Sequence, residues 1–323
     1  MRRFFQRYGF SLAILAVCTA AYLRPGFFLE VAGHSTAVLI APLIQLIMFG
    51  MGTTLGKADF LNVVRRPLPV ALGVVLQFSV MPLTGFGLAC AFGLDGDVAA
   101  GVVLIGSAAG GVASNVIAYI AGANVALSVS MTAVSTLLSP LLTPLLMRGL
   151  AGRFIPIDAG AMALSLVKMI VLPLVASQIA RWAFDRWCRR VNVVIDRVLP
   201  YVSIAAICVI MSVCVSQAHN ILRTAGAVVF VIAVLHNSTG YLLGYWVARL
   251  AGRFCAVDER DCRTVAIEVG MQNAGMSQAL AVDVLKCAGA ALAPAIFGVW
   301  MDFSGSILAN WWRKRPVERQ EKE

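Results

Sequence analysis

Long apolar runs recur from one end of this chain to the other, and they leave it few ways to fold. A helix crosses ~30 Å of hydrocarbon with about 20 apolar residues, and stretches such as VVFVIAVLHNSTGYLLGYWVA, 228–248, supply that length many times over. Only 13% of the residues are charged, whereas a soluble domain carries about a quarter. An ordinary soluble enzyme is excluded. A membrane β-barrel is excluded too, because the runs are continuous and do not alternate. The chain reads as an all-α polytopic membrane protein.

The pattern predicts ten spans, near 9–24, 36–55, 69–92, 97–120, 125–147, 160–181, 198–216, 225–249, 263–286 and 290–312, with ends good to a few residues. The first follows MRRFFQRYGF and lacks a clear small-residue cleavage site, so it reads as a retained helix and not a signal peptide.

The net charge of +10 follows the membrane. With the N-terminus inside, Arg2, Arg3, Arg7, Lys57, Arg65, Arg66, the cluster Arg181 to Arg197, the group Arg249 to Arg263 and the tail from Arg313 all fall on the cytoplasmic side. The other face holds Arg24, Arg148, Arg153, Arg223 and Lys286. This asymmetry predicts cytoplasmic termini. It accounts for the basic excess, together with membrane lipid, without a nucleic-acid partner.

The eight cysteines are scattered; Cys255 and Cys262 flank AVDERD without a second pair or a histidine, so no transition-metal site is expected. The three histidines form no H-x-x-x-H pair, and His236 reads as a hydrogen-bonded packing residue. GVASN lacks the second glycine of a nucleophile elbow. An enzyme is not indicated.

Two short echoes suggest an inverted repeat. VLQF at Val75 recurs as VLHN at Val234, and ASNV at Ala113 faces MQNA at Met271, which aligns Asn115 with Asn273. The halves would be about 9–147 and 160–312, followed by the basic tail 313–323. The aligned segments are also the two polar interruptions: GSAAGGVASN in the fourth span and EVGMQNAGMSQ in the ninth. Glycine eases departure from helical geometry, and unwound backbone at membrane depth survives only where protein or a cavity surrounds it. Two crossing broken helices are therefore expected, one of them carrying Glu268. An intramembrane carboxylate needs a partner: Lys168, a bound proton or a bound cation. Ser128 and Thr132 are four residues apart and share a helix face. With Ser114 and Asn115 they make a set of hard oxygens suited to an alkali cation.

These residues resemble the bile acid:sodium symporter family over essentially the whole chain. The likeness lies in LIMFGMG from Leu46, LQFSVMPLT from Leu76, ASNVIAY from Ala113 and NVALSVSMTAVSTLLSPLLTP from Asn124. It continues in LHNSTGYLLGY from Leu235, TVAIEVGMQNAG from Thr264 and SGSILA from Ser304. The resemblance implies a ten-helix fold with panel and core domains, two sodium ions, and import of an organic solute by alternating access. It implies a first sodium site at Ser114, Asn115, Ser128, Thr132 and Glu268. A second is implied at Gln77, Glu268, the backbone of Val269 and Met271, and Gln272. Asn273 matches a solute-contacting asparagine.

The solute-facing positions depart from that pattern. Bacterial bile-acid-binding members carry a hydroxyl residue where this chain has Val112. They also carry His-Asn ahead of SGS, where this chain reads Trp300, Met301, Asp302 and Phe303. An ionised Asp302 beside an anionic solute would cost several kcal/mol. The solute expected from the resemblance is a small organic anion or a bile-acid-like amphipath. The alternative is a proton-coupled or cation-selecting transporter that uses Asp302, and an ion channel is a more distant one.

Overall fold

The computed structural model describes residues 13, 16–31, 33–54, 56–187, 189–254, 257–315 and 317. The expected first span and the basic tail fall partly outside these residues, and Cys255, Arg2, Arg3 and Arg7 fall wholly outside them. Among the described residues the chain is almost entirely helical, with one antiparallel pair, β1 (Glu30–Val31) and β2 (His34–Ser35).

The helices run as α1 (Ile40–Thr54), α2 (Lys57–Arg65), α3 (Pro67–Ala91), α4 (Gly96–Gly106), α5 (Ala113–Ile120) and α6 (Val125–Leu150). They continue as α7 (Ala159–Leu166), α8 (Leu172–Trp187), α9 (Arg189–Gln217) and α10 (His219–Ala251). The last are α11 (Glu259–Gly270), α12 (Ala274–Ala279) and α13 (Ala288–Arg313). Among the described residues six helical stretches are long and apolar enough to cross a membrane: Thr36–Thr53, Pro67–Ala91, Val125–Arg153, Ala159–Arg186, His219–Ala251 and Ala288–Arg313. Shorter apolar helices cover Gly96–Gly106 and Tyr201–Gln217.

The stretches 97–120 and 263–286 are each interrupted. The first splits into α4 and α5; the second splits into α11 and α12 and then a π-helical turn, Leu280–Val284. The basic cluster after the sixth span is helical almost throughout, because α8 runs to Trp187 and α9 starts at Arg189. Arginine is a good helix former, so these helices extend beyond their apolar runs.

Two groups of helices pack against each other. In one, α1 lies on α8 and α9, and Gln178 Nε2 donates to the Gly52 carbonyl across 2.5 Å. In the other, α3, α4, α6, α10, α11 and α13 surround the two breaks. Here α4 packs on α13 so closely that a Cβ on Gly101 would lie 2.4 Å from the Ala290 carbonyl oxygen. Small residues at a helix crossing let backbones approach this closely. Large apolar side chains on the outer faces, including Val75, Leu83, Leu141, Leu145, Leu242 and Trp246, are exposed. On a helix hydrophobic on its outer face, the fitting environment is lipid.

Candidate ion and solute site

An unwound helix leaves backbone groups that hydrocarbon cannot satisfy, so each must find a protein partner. At the first break, between α4 and α5, the Ser107 carbonyl accepts from Thr143 Oγ1 at 2.7 Å and the Ala108 carbonyl accepts from Gln77 Nε2 at 3.0 Å. Gly110 N donates to Ser135 Oγ at 3.2 Å. At the second break, between α11 and α12, the Gly270 carbonyl accepts from Asn237 Nδ2 at 2.8 Å and the Val269 carbonyl from Gln272 Nε2 at 2.7 Å. The remaining groups pair break to break. Gly111 N donates to the Met271 carbonyl at 3.1 Å and Asn273 N to the Ala109 carbonyl at 2.9 Å. Gly110 and Gln272 form an antiparallel bridge. A Cβ on Gly111 would sit 2.5 Å from the Gln272 carbonyl oxygen, so this position has no room for a side chain.

Glu268, in the last turn of α11, is 1% exposed. Its Oε1 accepts from Ser114 Oγ at 2.5 Å and also from Ser128 Oγ, and its Oε2 accepts from Thr132 Oγ1 at 2.8 Å. Asn115 closes the cluster, its Oδ1 accepting from Ser128 Oγ at 2.8 Å and from Thr132 Oγ1 at 3.5 Å. All five residues expected at the first ion site therefore share one nest, built from α5, α6 and α11. Lys168 is not the partner of Glu268. It is exposed on the π-helical turn Val167–Val171, and the carboxylate's bonds go to three hydroxyls.

The second expected set is only partly assembled around its carboxylate. Gln77 Nε2 donates to Gln272 Oε1 at 2.5 Å, and Gln272 reaches the Val269 carbonyl. The hydrogen bonds of Glu268, however, go to the first cluster. The Met271 carbonyl is engaged by Gly111 N.

Beside the breaks lies a cleft with about 680 Å³ of empty space, its open mouth included. Val112, Asn273 and Asp302 all line it, together with Gln272 and Met301. Asn273 caps α12, its Oδ1 accepting from Met276 N at 3.0 Å. The facing wall is apolar and comes from α1 and α9: Ile44, Ile47, Met48, Ile207, Ile210 and Met211. Asn115 and Asn273, aligned by the sequence echo, play different local roles. Asn115 lies in the first turn of α5, whereas Asn273 precedes α12 as its cap.

Over residues 41–224 the sequence matches the Sodium Bile acid symporter family. It is 38% identical over 315 residues to an uncharacterized sodium-dependent transporter of Bacillus subtilis, covering 98% of this chain and 93% of that protein. It is 34% identical to a probable chloroplastic sodium/metabolite cotransporter of Oryza sativa, over 95% of this chain and 73% of that one. The ileal sodium/bile acid cotransporter of Oryctolagus cuniculus is 32% identical over 73% of this chain and 67% of its own.

The chain belongs to the sodium bile acid symporter family.

Membership makes it a transporter and not an enzyme. His236 fits that reading: it is fully buried, with Nε2 2.8 Å from the Met81 carbonyl and its ring against Phe297. Several residues of this family member's site had no assigned role in the sequence. Asn237, Ser304 and Tyr241 form a chain in which Ser304 Oγ donates to Asn237 Oδ1 at 2.7 Å and lies 3.3 Å from Tyr241 Oη. This chain supports the Gly270 carbonyl at the second break. Its residues lie in the motifs LHNSTGYLLGY and SGSILA, so the signal was present as a polar run in two apolar spans.

Proposed function

We propose that this chain is a sodium-coupled symporter that imports an organic solute across the bacterial inner membrane by alternating access. The observation that carries this reading is the convergence of Ser114, Asn115, Ser128 and Thr132 on the buried carboxylate of Glu268, next to a cleft. Oxygen ligands with a single negative charge suit a hard cation, and the cluster contains no thiol or imidazole that would favour zinc.

Sodium would be held first by those five residues. A second ion would take Gln77, Glu268, the backbone of Val269 and Met271, and Gln272. Each ion would offset the cost of keeping Glu268 ionised within the membrane. Because the ligands come from both sides of the helix breaks, occupancy would bias how the breaks are arranged, which is the differential binding that coupling requires. The cleft between α1 and α9 on one side and the breaks on the other is the proposed solute path. Alternating access would then be movement of one helix group against the other.

The proposed topology is ten spans in two inverted halves, about 9–147 and 160–312, with cytoplasmic termini; the distribution of basic residues supports it. The test is the melting temperature of the purified full chain in sodium and in potassium at equal ionic strength. A ligand that binds only the folded state raises stability as RT ln(1 + [L]/Kd), so sodium is expected to raise the melting temperature selectively. Equal values in the two salts would reject sodium coupling.

A further inference from the structure

We propose that Asp302 is the counter-ion for the transported solute, and that the solute is a small organic amine with an apolar body. The inference rests on the transporter reading above and names the class of molecule that the cleft accepts.

Asp302 lies on α13, is 7% exposed and lines the cleft. Among the described residues its carboxylate makes no hydrogen bond and no ion pair; only its backbone carbonyl is engaged, by Ser306 Oγ at 2.7 Å. The other buried acids are well served. Glu268 receives three hydroxyls. Asp261 receives Arg66 through both oxygens, at 3.1 and 2.6 Å, and Asn124 Nδ2 at 2.8 Å. A buried carboxylate without a donor is costly and rare, so its partner is to be sought in whatever occupies the cleft.

Several neighbouring protein donors are engaged elsewhere, and none bonds to the Asp302 carboxylate. Tyr241 Oη lies against the Met301 carbonyl and Ser304, and Ser304 Oγ serves Asn237. Gln272 Nε2 serves the Val269 carbonyl. Lys168 is exposed and no bond joins it to Asp302, so the pairing that could have neutralised the acid within the protein does not form.

The opposite wall sets the rest of the solute. Ile44, Met48, Ile207 and Met211 offer only apolar surface, which suits a hydrocarbon body. A hydroxyl could donate to Asp302 but would leave its charge uncompensated. An ammonium supplies both the donor and the charge, giving the stronger charge-assisted bond. A carboxylate would face like charge in a largely dehydrated cleft. With its carboxyl ionised, position 302 thus favours, of the solute classes left open by the sequence, the one that carries a cationic group.

The test uses three probes on one skeleton, cyclohexylmethylamine, cyclohexanecarboxylate and cyclohexylmethanol, added in sodium to the purified full chain. Binding is read as a thermal shift. The amine is expected to stabilise the wild type, to lose about tenfold or more in affinity in Asp302→Asn, and to keep binding in Asp302→Glu. The carboxylate is expected to bind Asp302→Asn better than the wild type. No amine response in the wild type, with sodium stabilisation intact, overturns the proposal. So does a carboxylate or alcohol response at least as strong as the amine's, or an amine response unchanged in Asp302→Asn. Loss of the sodium effect in wild type without any probe would instead strike the transporter reading, so the two failures are distinguishable.

Discussion

Ser114 Oγ donates to Glu268 Oε1 across 2.5 Å, joining the first turn after one helix break to the last turn before the other. Neither break can be rearranged without disturbing this contact. Together with the backbone pairs from Gly111 to Met271 and from Asn273 to Ala109, it ties the two broken helices into one unit. An ion coordinated at this carboxylate acts on both.

Glu268→Gln tests the role of charge at that junction. The amide has nearly the shape of the carboxylate but carries no net charge, and its NH2 faces hydroxyls that now donate to the acid. The variant is expected to lose the difference in melting temperature between sodium and potassium while still unfolding cooperatively in both. A full sodium effect in this variant would remove Glu268 from the ion site.

Ser128→Ala and Thr132→Ala separate the two proposed ions. Both side chains bond to Glu268 and to Asn115, and neither is bonded to Gln77 or Gln272. Each substitution is expected to weaken the first ion and leave the second partly bound. The Hill coefficient for sodium-dependent uptake into vesicles should fall from about two toward about one. Both variants keeping the wild-type coefficient would contradict the ligand assignment.

The hydroxyl cluster around Glu268 was legible because its chemistry stands out locally. Glu268 is a carboxylate inside an apolar run, and Ser128 and Thr132 sit at helical spacing. The interruptions were legible through Gly110 and Gly111 and through Gly270 and Gly275, but what holds them was not. Gln77 and Gln272 are 195 residues apart, as are Arg66 and Asp261, and no periodicity joins them. The apolar cleft wall was hidden for a different reason. Ile44, Met48, Ile207 and Met211 sit in spans where apolar residues face lipid and cleft alike, so composition cannot tell the two faces apart. Lys168, one of three partners the sequence left open for Glu268, stays at the exposed surface, as its long stem allows.

Asp261 is the anchor of α11 at its charged end. Its carboxylate completes the capping box with Asp258, accepts both nitrogens of Arg66, and accepts from Asn124 Nδ2 in the turn before α6. It is fully buried, but the Arg66 side chain is 36% exposed, so solvent screens part of that attraction. Asp261→Asn is expected to cost about 1–3 kcal/mol of stability, mostly from lost charge-assisted hydrogen bonds. Chemical denaturation in a defined detergent would measure it; an effect below about 0.5 kcal/mol would show that the network is redundant.

Gly111 should be hard to replace, because it sits where the two breaks cross. A methyl group there would lie 2.5 Å from the Gln272 carbonyl oxygen and 3.1 Å from its carbon, both backbone atoms with no rotamer to yield. To fit, the breaks must move apart, which stretches the Gly111 to Met271 hydrogen bond and shifts Gln272 relative to Gln77. Gly111→Ala is therefore expected to destabilise by about 1–3 kcal/mol, as overpacking does, and to weaken sodium stabilisation as well. Gly87 is the control: it is exposed on α3, with nothing within 4 Å of a built Cβ. Gly87→Ala is expected to be neutral or stabilising by up to about 1 kcal/mol, because alanine is the better helix former. Measuring both variants in sodium and in potassium separates a local packing cost from damage to the ion site. If Gly111→Ala melted like Gly87→Ala in both salts, the close backbone crossing could not be what holds the proposed ion ligands in place.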